Sequence, residues 1–236
     1  MTVTDPAWAS FPRVRRLIAE GIGRHHPGAQ VHVAVGGQPV LEEAIGDDGH
    51  GRPLTSDHRM AWLSAGKPLT AVVALRLVER GLFRVEDRVA EYIPEFASGG
   101  KDEVTLRQLL NHTAGIQAVP TGWPRLTWGS IVERVCNAKL RHGAIPGETP
   151  AYDPQRTWFI LGELLQRAVG ADFEAAMASE LCGPLGMERS RWTVTADASE
   201  WQSLTHECDG ETCRPARDQM TPEACPAPGS SLLAPA

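Results

Sequence analysis

The stretch MAWLSAGKPLTAVVALRLVERG, residues 60–81, constrains the fold more than any other part of the sequence. Its nearly unbroken apolar run from Leu69 to Val78 reads as a buried helix, and Gly81 stands where a C-terminal helix cap belongs. Directly in front of that run lies the polar quartet Ser64-Ala65-Gly66-Lys67. Residues three apart on a helix share a face, so a helix starting near Ser64 brings the Lys67 amine towards the serine oxygen. Serine becomes an effective nucleophile only when a neighbouring base takes its proton. A lysine partly desolvated by an apolar helix can hold a lowered pKa and act as that base, while the field of the helix N-terminus stabilises the alkoxide. Read locally, the same four residues also fit an N-cap serine followed by a lysine that snorkels to the surface.

A chain of 236 residues can bury the core such a helix needs, as one large domain or two small ones. The net charge of -6 argues against a nucleic-acid partner, which calls for a basic face. No segment reaches the ~18 consecutive apolar residues of a membrane span, and MTVTDPAWASFPRVRR holds no apolar core of signal-peptide length. The expectation is a cytoplasmic protein with no membrane partner. The five cysteines, Cys136, Cys182, Cys208, Cys213 and Cys225, are too few and odd in number for a disulfide framework.

Phe11, Val14, Leu17, Ile18 and Ile22 recur at helical spacing and predict an amphipathic helix over 11–23 lying on a sheet or core. VHVAV (31–35), Gly36-Gly37 and the run from Pro39 to Ile45 predict a hairpin, and HRMAWL (58–63) a short strand or extended lead-in. Thr105 with Gln108 predicts a capping box that opens a short helix closed by Gly115. Further helices are expected at 130–140, at 157–169 ended by Gly170, and at 172–182 with Asp172 as N-cap. From 194 to 230 the pattern dissolves into an irregular loop or insertion.

Four blocks in order, WLSAGKPLTAVVALRLVERGLFRVEDRVAEYIPEF, VTLRQLLNHTAGI, IPGETPAY with WFILGELLQRAVG, and LCGPLGMERS, resemble the serine β-lactamase-like superfamily. The branch most similar holds class C β-lactamases, their esterase relatives and penicillin-binding proteins. The resemblance runs from about residue 11 to the end. It implies that Ser64 is the residue acylated by substrate and that Lys67 assists proton transfer, the S-x-x-K signature of these enzymes. It also implies that Tyr152, which follows Pro146-Gly147, shares the proton transfer. The family's Y-x-N asparagine, which binds substrate and orients the lysine, is replaced here by Pro154, a residue without an N–H to donate. That replacement disfavours β-lactam hydrolysis and favours another acyl substrate. The family's third motif, K-T-G or H-x-G on a central strand, belongs well downstream, and GSSLLAPA (229–236) resembles the stretch that precedes it. The C-terminal strands are therefore expected to be missing, with the sheet completed by a further segment or a second chain, or else left inactive.

The resemblance makes His112 a structural residue that pins the loop beside the site rather than a general base. Trp123 and Trp128 fall around the expected cleft, where they line an apolar substrate pocket or belong to the core, and Trp158 is read as core. HECDGETC holds metal-ligand residue types in His206, Glu207, Cys208 and Cys213, but C-x4-C is not a standard zinc spacing, so a loop or hairpin is expected. His25 and His26 read as solvated. The expected architecture is an α/β (α+β type) domain over 1–236 of the β-lactamase/transpeptidase-like class, an antiparallel sheet flanked by helices with a mostly helical subdomain over 82–192. The expected activity is acyl transfer from a small-molecule ester or amide through Ser64, as an esterase or biosynthetic transacylase, with no metal or organic cofactor. A catalytically inactive relic or binding module of the same fold is the alternative.

Overall fold

The computed structural model of the chain describes residues 6–48, 51–193, 206–211, 213–215 and 224–235. They form two compact units, one of Met1–Ala61, Thr195–Met220 and Leu233–Ala236, the other of Trp62–Val194 and Thr221–Leu232.

The first unit holds helices α1 (Pro6–Ala9) and α2 (Pro12–Gly21) and strands β1 (Gly28–Val35), β2 (Gln38–Gly46), β3 (Met60–Ala61), β4 (His206–Cys208), β5 (Cys213–Pro215) and β6 (Leu233–Ala234). The hairpin expected around Gly36-Gly37 is β1–β2, paired from Gly28 opposite Gly46 to Val35 opposite Gln38 with a bulge between Val33 and Ala34. Both turn glycines have positive φ, 59° and 78°, as a two-residue turn matched to strand twist requires. HECDGETC forms the β4–β5 hairpin, with Cys208 opposite Cys213. The side chains of those strands, on which any zinc site would depend, lie outside the described structure, as do residues 194–205, 212 and 216–223 of the stretch expected to be irregular.

The α2 helix exists and meets β2, but its apolar stripe is only partly covered, and Leu17 is 65% exposed. The short α1, too brief for a periodic signal, packs against β2 and supplies the buried Trp8 instead. Periodicity tells which residues share a face and says nothing of what stands opposite.

The second unit is helical. A 3-10 turn, Leu63–Gly66, runs into α3 (Lys67–Glu79), followed by α4 (Leu106–Leu110), α5 (Trp128–Asn137), α6 (Arg156–Val169) and α7 (Phe173–Met177), which passes into a π turn over Ala178–Cys182. Helix α6 is the centre, with α3, α4, α5 and α7 all packed on it and Phe159, Ile160, Leu161 and Leu165 fully buried. Gly162 makes that packing possible, because a Cβ there would stand 2.6 Å from Pro228 Cγ and 2.7 Å from the Trp128 ring. Three caps fall where expected, but α4 ends at Leu110 with Asn111 as its C-cap, four residues before the expected Gly115. Gln108 Oε1 accepts from Thr105 N–H at 3.1 Å, Asp172 accepts from Ala175 N–H at 2.8 Å, and Gly170 ends α6 with a φ of 73°.

The apolar run of α3 predicts burial all round, yet only Lys67, Thr70, Val73, Ala74 and Leu77 are buried, and Val72 and Leu75 stay over 40% exposed. The last described part of the chain is packed in. Residues 224–230 form neither helix nor strand. Ala224, Ala227, Ser231 and Leu232 are buried, and β6 pairs antiparallel with β3, Ala61 opposite Leu233. Small residues and prolines carry no hydrophobic period, so a segment buried by its backbone reads as a loop.

Lys101 is fully buried without a carboxylate partner. Its ammonium donates to the carbonyls of Ser98 (2.5 Å), Cys136 (2.9 Å) and Ala138, closing the C-terminal end of α5. Among the described residues no helix is long and apolar enough to cross a membrane.

Candidate active site

Ser64 sits in the 3-10 turn before α3 rather than in the helix itself. That turn has three residues per revolution, so residues i and i+3 eclipse and Lys67 lies directly over Ser64. Lys67 Nζ donates to Ser64 Oγ at 2.9 Å, and the Tyr152 hydroxyl lies 2.7 Å from the same oxygen. The three residues singled out as catalytic candidates are thus within hydrogen-bond reach of one atom. Leu63, just before the serine, has a φ of 47°, a left-handed conformation that costs a leucine on the order of 1–3 kcal/mol. Hydrogen bonds on either side hold it, Trp62 N–H to Leu232 O at 2.9 Å and Ala65 N–H to Trp62 O at 3.0 Å.

Lys67 is buried, with its Nζ lying 5.3 Å from the Tyr152 ring centroid and 5.5 Å from that of Trp158. Besides the serine, Nζ donates to the carbonyl of Gly229 at 2.6 Å, and one turn along α3 the Thr70 hydroxyl donates to Pro228 O at 2.7 Å. The closeness of this segment depends on two glycines. A Cβ on Gly66 would stand 2.9 Å from Leu232 Cβ, and one on Gly229 would stand 2.8 Å from Trp158 Cγ and 3.0 Å from Pro154 O. An amine with an N–H fixed on a carbonyl can aim its lone pair, once neutral, at the Ser64 proton.

Tyr152 is 60% exposed. Its hydrogen bond with Ser64, reinforced by Lys67, outweighs partial burial and holds its phenol below the ordinary tyrosine value. Beside it, Asp153 is buried two residues before Gln155, the N-cap of α6. Its carboxylate accepts from Gln155 N–H (3.0 Å), Arg156 N–H (2.8 Å) and Arg156 Nε (2.9 Å). His112 meets this segment at two atoms. Its carbonyl accepts from Ala151 N–H at 2.9 Å and its Nδ1 accepts from Asp153 N–H at 3.1 Å. Burial and the Lys67 charge, opposed by Asp153, keep its imidazole below the ordinary value.

The remaining candidates are placed differently. Pro154 is exposed, with only its carbonyl turned to Gly229. Trp123 is half-buried and its indole N–H donates to Cys225 O at 2.8 Å, tying two loops together. Trp128 stacks on Phe173, meets Phe159 edge-on and donates to Glu163 at 2.7 Å, so it belongs to the packing of α5 on α6 and α7 rather than to the group around Ser64. Sequence reasoning missed Gly229, Asp153 and the part Trp158 plays. Asp153 carried a signal in its position three residues before Arg156 at a helix start, whereas a backbone carbonyl such as that of Gly229 leaves none.

Against known proteins, the Beta-lactamase family model matches residues 14–234, and the chain belongs to that family. It is 31% identical over 186 residues to Esterase/beta-lactamase LipL of Mycobacterium tuberculosis, covering 77% of this chain and 42% of LipL. It is 28% identical over 234 residues to Esterase EstB of Burkholderia gladioli, covering 89% of this chain and 56% of EstB. The chain thus spans about half the length of the curated relatives it matches. Among solved structures, that of EstCE1, described as a hydrolase with promiscuous acyltransferase activity, superposes with a TM-score of 0.83 at 21% identity, over 99% of this chain and 71% of EstCE1. The fold is β-lactamase/transpeptidase-like.

Proposed function

We propose that this chain carries a serine acyl-transfer site, in which Ser64 is acylated by an ester or amide and the acyl group then passes to water or an amine. The hydrogen-bonded group of Ser64, Lys67 and Tyr152 is the observation that carries the reading. In it, the Ser64 hydroxyl gives its proton to Lys67, or to Tyr152 ionised beside Lys67, as the oxygen adds to the acyl carbonyl. Collapse of the tetrahedral adduct breaks the bond to the leaving oxygen or nitrogen, which takes the proton back from the same pair. An acceptor then repeats the sequence in reverse on the acyl-serine.

Pro154 favours an esterase or transacylase over a β-lactamase, and nitrocefin is expected to be turned over slowly or not at all. The replaced asparagine also favours a second reading, a binding module without turnover. Intact mass after incubation with p-nitrophenyl acetate separates the two. The expected result is a single acetyl adduct on the wild type and none on Ser64→Ala. A folded wild-type chain that takes no adduct would make the binding module the better account.

Gly229→Ala is a second check. Overpacking against Trp158 and Pro154 O on the order of 1–3 kcal/mol falls on the acceptor that aims Lys67, so adduct formation should slow roughly 10- to 100-fold. Stopped-flow release of p-nitrophenol gives the rate, and an unchanged rate would remove Gly229 from the site.

A further inference from the structure

Tyr152 reaches Ser64 with a side chain that burial does not hold, since most of its surface is open to solvent. What holds it is the backbone on both sides, and both ties end on one residue. Ala151 N–H donates to the His112 carbonyl, Asp153 N–H donates to His112 Nδ1, and the imidazole lies 4.9 Å from the Tyr152 ring and 5.8 Å from that of Trp158. We infer that His112 is a positioning residue for Tyr152, acting as a neutral hydrogen-bond acceptor, and that its protonation releases Tyr152 from Ser64. The inference rests on the reading that Tyr152 shares the proton transfer at Ser64.

The chemistry follows from the tautomer. An Nδ1 that accepts from a backbone N–H carries no proton, so the neutral ring holds its hydrogen on Nε2. Adding a proton to Nδ1 sets donor against donor at Asp153 N–H and breaks one of the two ties. The groups facing the ring are the Asp153 carboxylate, itself engaged by Arg156, the Lys67 amine and the Tyr152 phenol. Asp153 favours the imidazolium, and burial with Lys67 opposes it, so the switch falls on the acid side of the ordinary imidazole range. His112 has a φ of 60°, a conformation that asparagine also tolerates.

Asparagine is therefore the discriminating substitution. Its Oδ1 stands where Nδ1 stands, accepts the same N–H and does not titrate. The chain has two tyrosines, Tyr92 and Tyr152, so 3-fluorotyrosine labelling yields two fluorine resonances, assigned with Tyr152→Phe. In the wild type the Tyr152 resonance should show an inflection below about pH 6.5, absent from His112→Asn. In ester turnover, the acid limb of log kcat/KM should steepen from one proton to two across the same range in the wild type and stay at one in His112→Asn. At neutral pH His112→Ala should lose about 10- to 100-fold in kcat/KM, chiefly in kcat, and His112→Asn should recover to within about tenfold of the wild type. A Tyr152 resonance without that inflection, or an inflection that survives in His112→Asn, overturns the inference. If no variant turns over ester, the acyl-transfer reading fails separately and the fluorine titration still decides this one.

Discussion

Lys67→Met is expected to lower the rate of Ser64 acylation by about 10³-fold or more while leaving the chain folded. Methionine fills nearly the same buried volume, so α3 keeps its packing on α6. What is lost is the group that takes the serine proton, a contribution of ~10²–10⁴ in acid–base catalysis. Lost with it is the hydrogen bond that anchors the base on Gly229 O. A desolvated amine also vanishes, so the stability lost by leaving that carbonyl bare, about 1–3 kcal/mol, is offset in part. Burst kinetics with p-nitrophenyl acetate, alongside a thermal melt, measures both. Labelling at more than a tenth of the wild-type rate would mean that another group, with Tyr152 the first candidate, takes the proton, and Lys67 would be reduced to a structural cation.

The second large effect lies away from the site. Lys101→Met is expected to destabilise the protein by roughly 1–3 kcal/mol. The ammonium of Lys101 serves three carbonyls, and only that of Cys136 keeps another donor, the Ser98 hydroxyl at 2.8 Å. The buried Ala138 carbonyl is left bare at about 1–3 kcal/mol, while that of Ser98 lies in a residue open to solvent. For a chain of 236 residues, each kcal/mol moves the melting temperature by ~2–4 °C, so a shift of about 2–12 °C is expected. A shift under ~2 °C would mean that the carbonyls find water on relaxation. Acylation of Ser64 at 25 °C should be nearly unaffected.

The sequence was most legible where one short-range rule acts alone. Asp172, Gly170, Gly36-Gly37 and the Thr105–Gln108 pair were readable because a cap or tight turn depends on two or three adjacent residues. Ser64, Lys67 and Tyr152 came from a resemblance, and the structure brings all three to one oxygen. What stayed hidden depends on chain segments far apart. Periodicity could not show that α2 leaves Leu17 exposed or that Trp128 turns to Phe173 and Glu163, because each outcome is set by what another element presents. The 3-10 geometry at Ser64 was missed for a related reason. The 170-residue jump from Trp62 to Leu232 allows the tight turn, and nothing local announces it.

That jump bears on the order in which the protein comes into being. The hydrogen bond from Lys67 to Gly229 spans 162 positions and that from Thr70 to Pro228 spans 158. Closing loops of this length is entropically costly, and it must await their far end. During synthesis, serine, lysine and tyrosine have all left the ribosome before Pro228 is made, so the helical body can gather while its lysine still lacks an anchor. In the acyl-transfer reading, the carbonyl that anchors Lys67 is made 162 residues after it, so a chain released before Gly229 would hold Ser64 and Lys67 without that anchor.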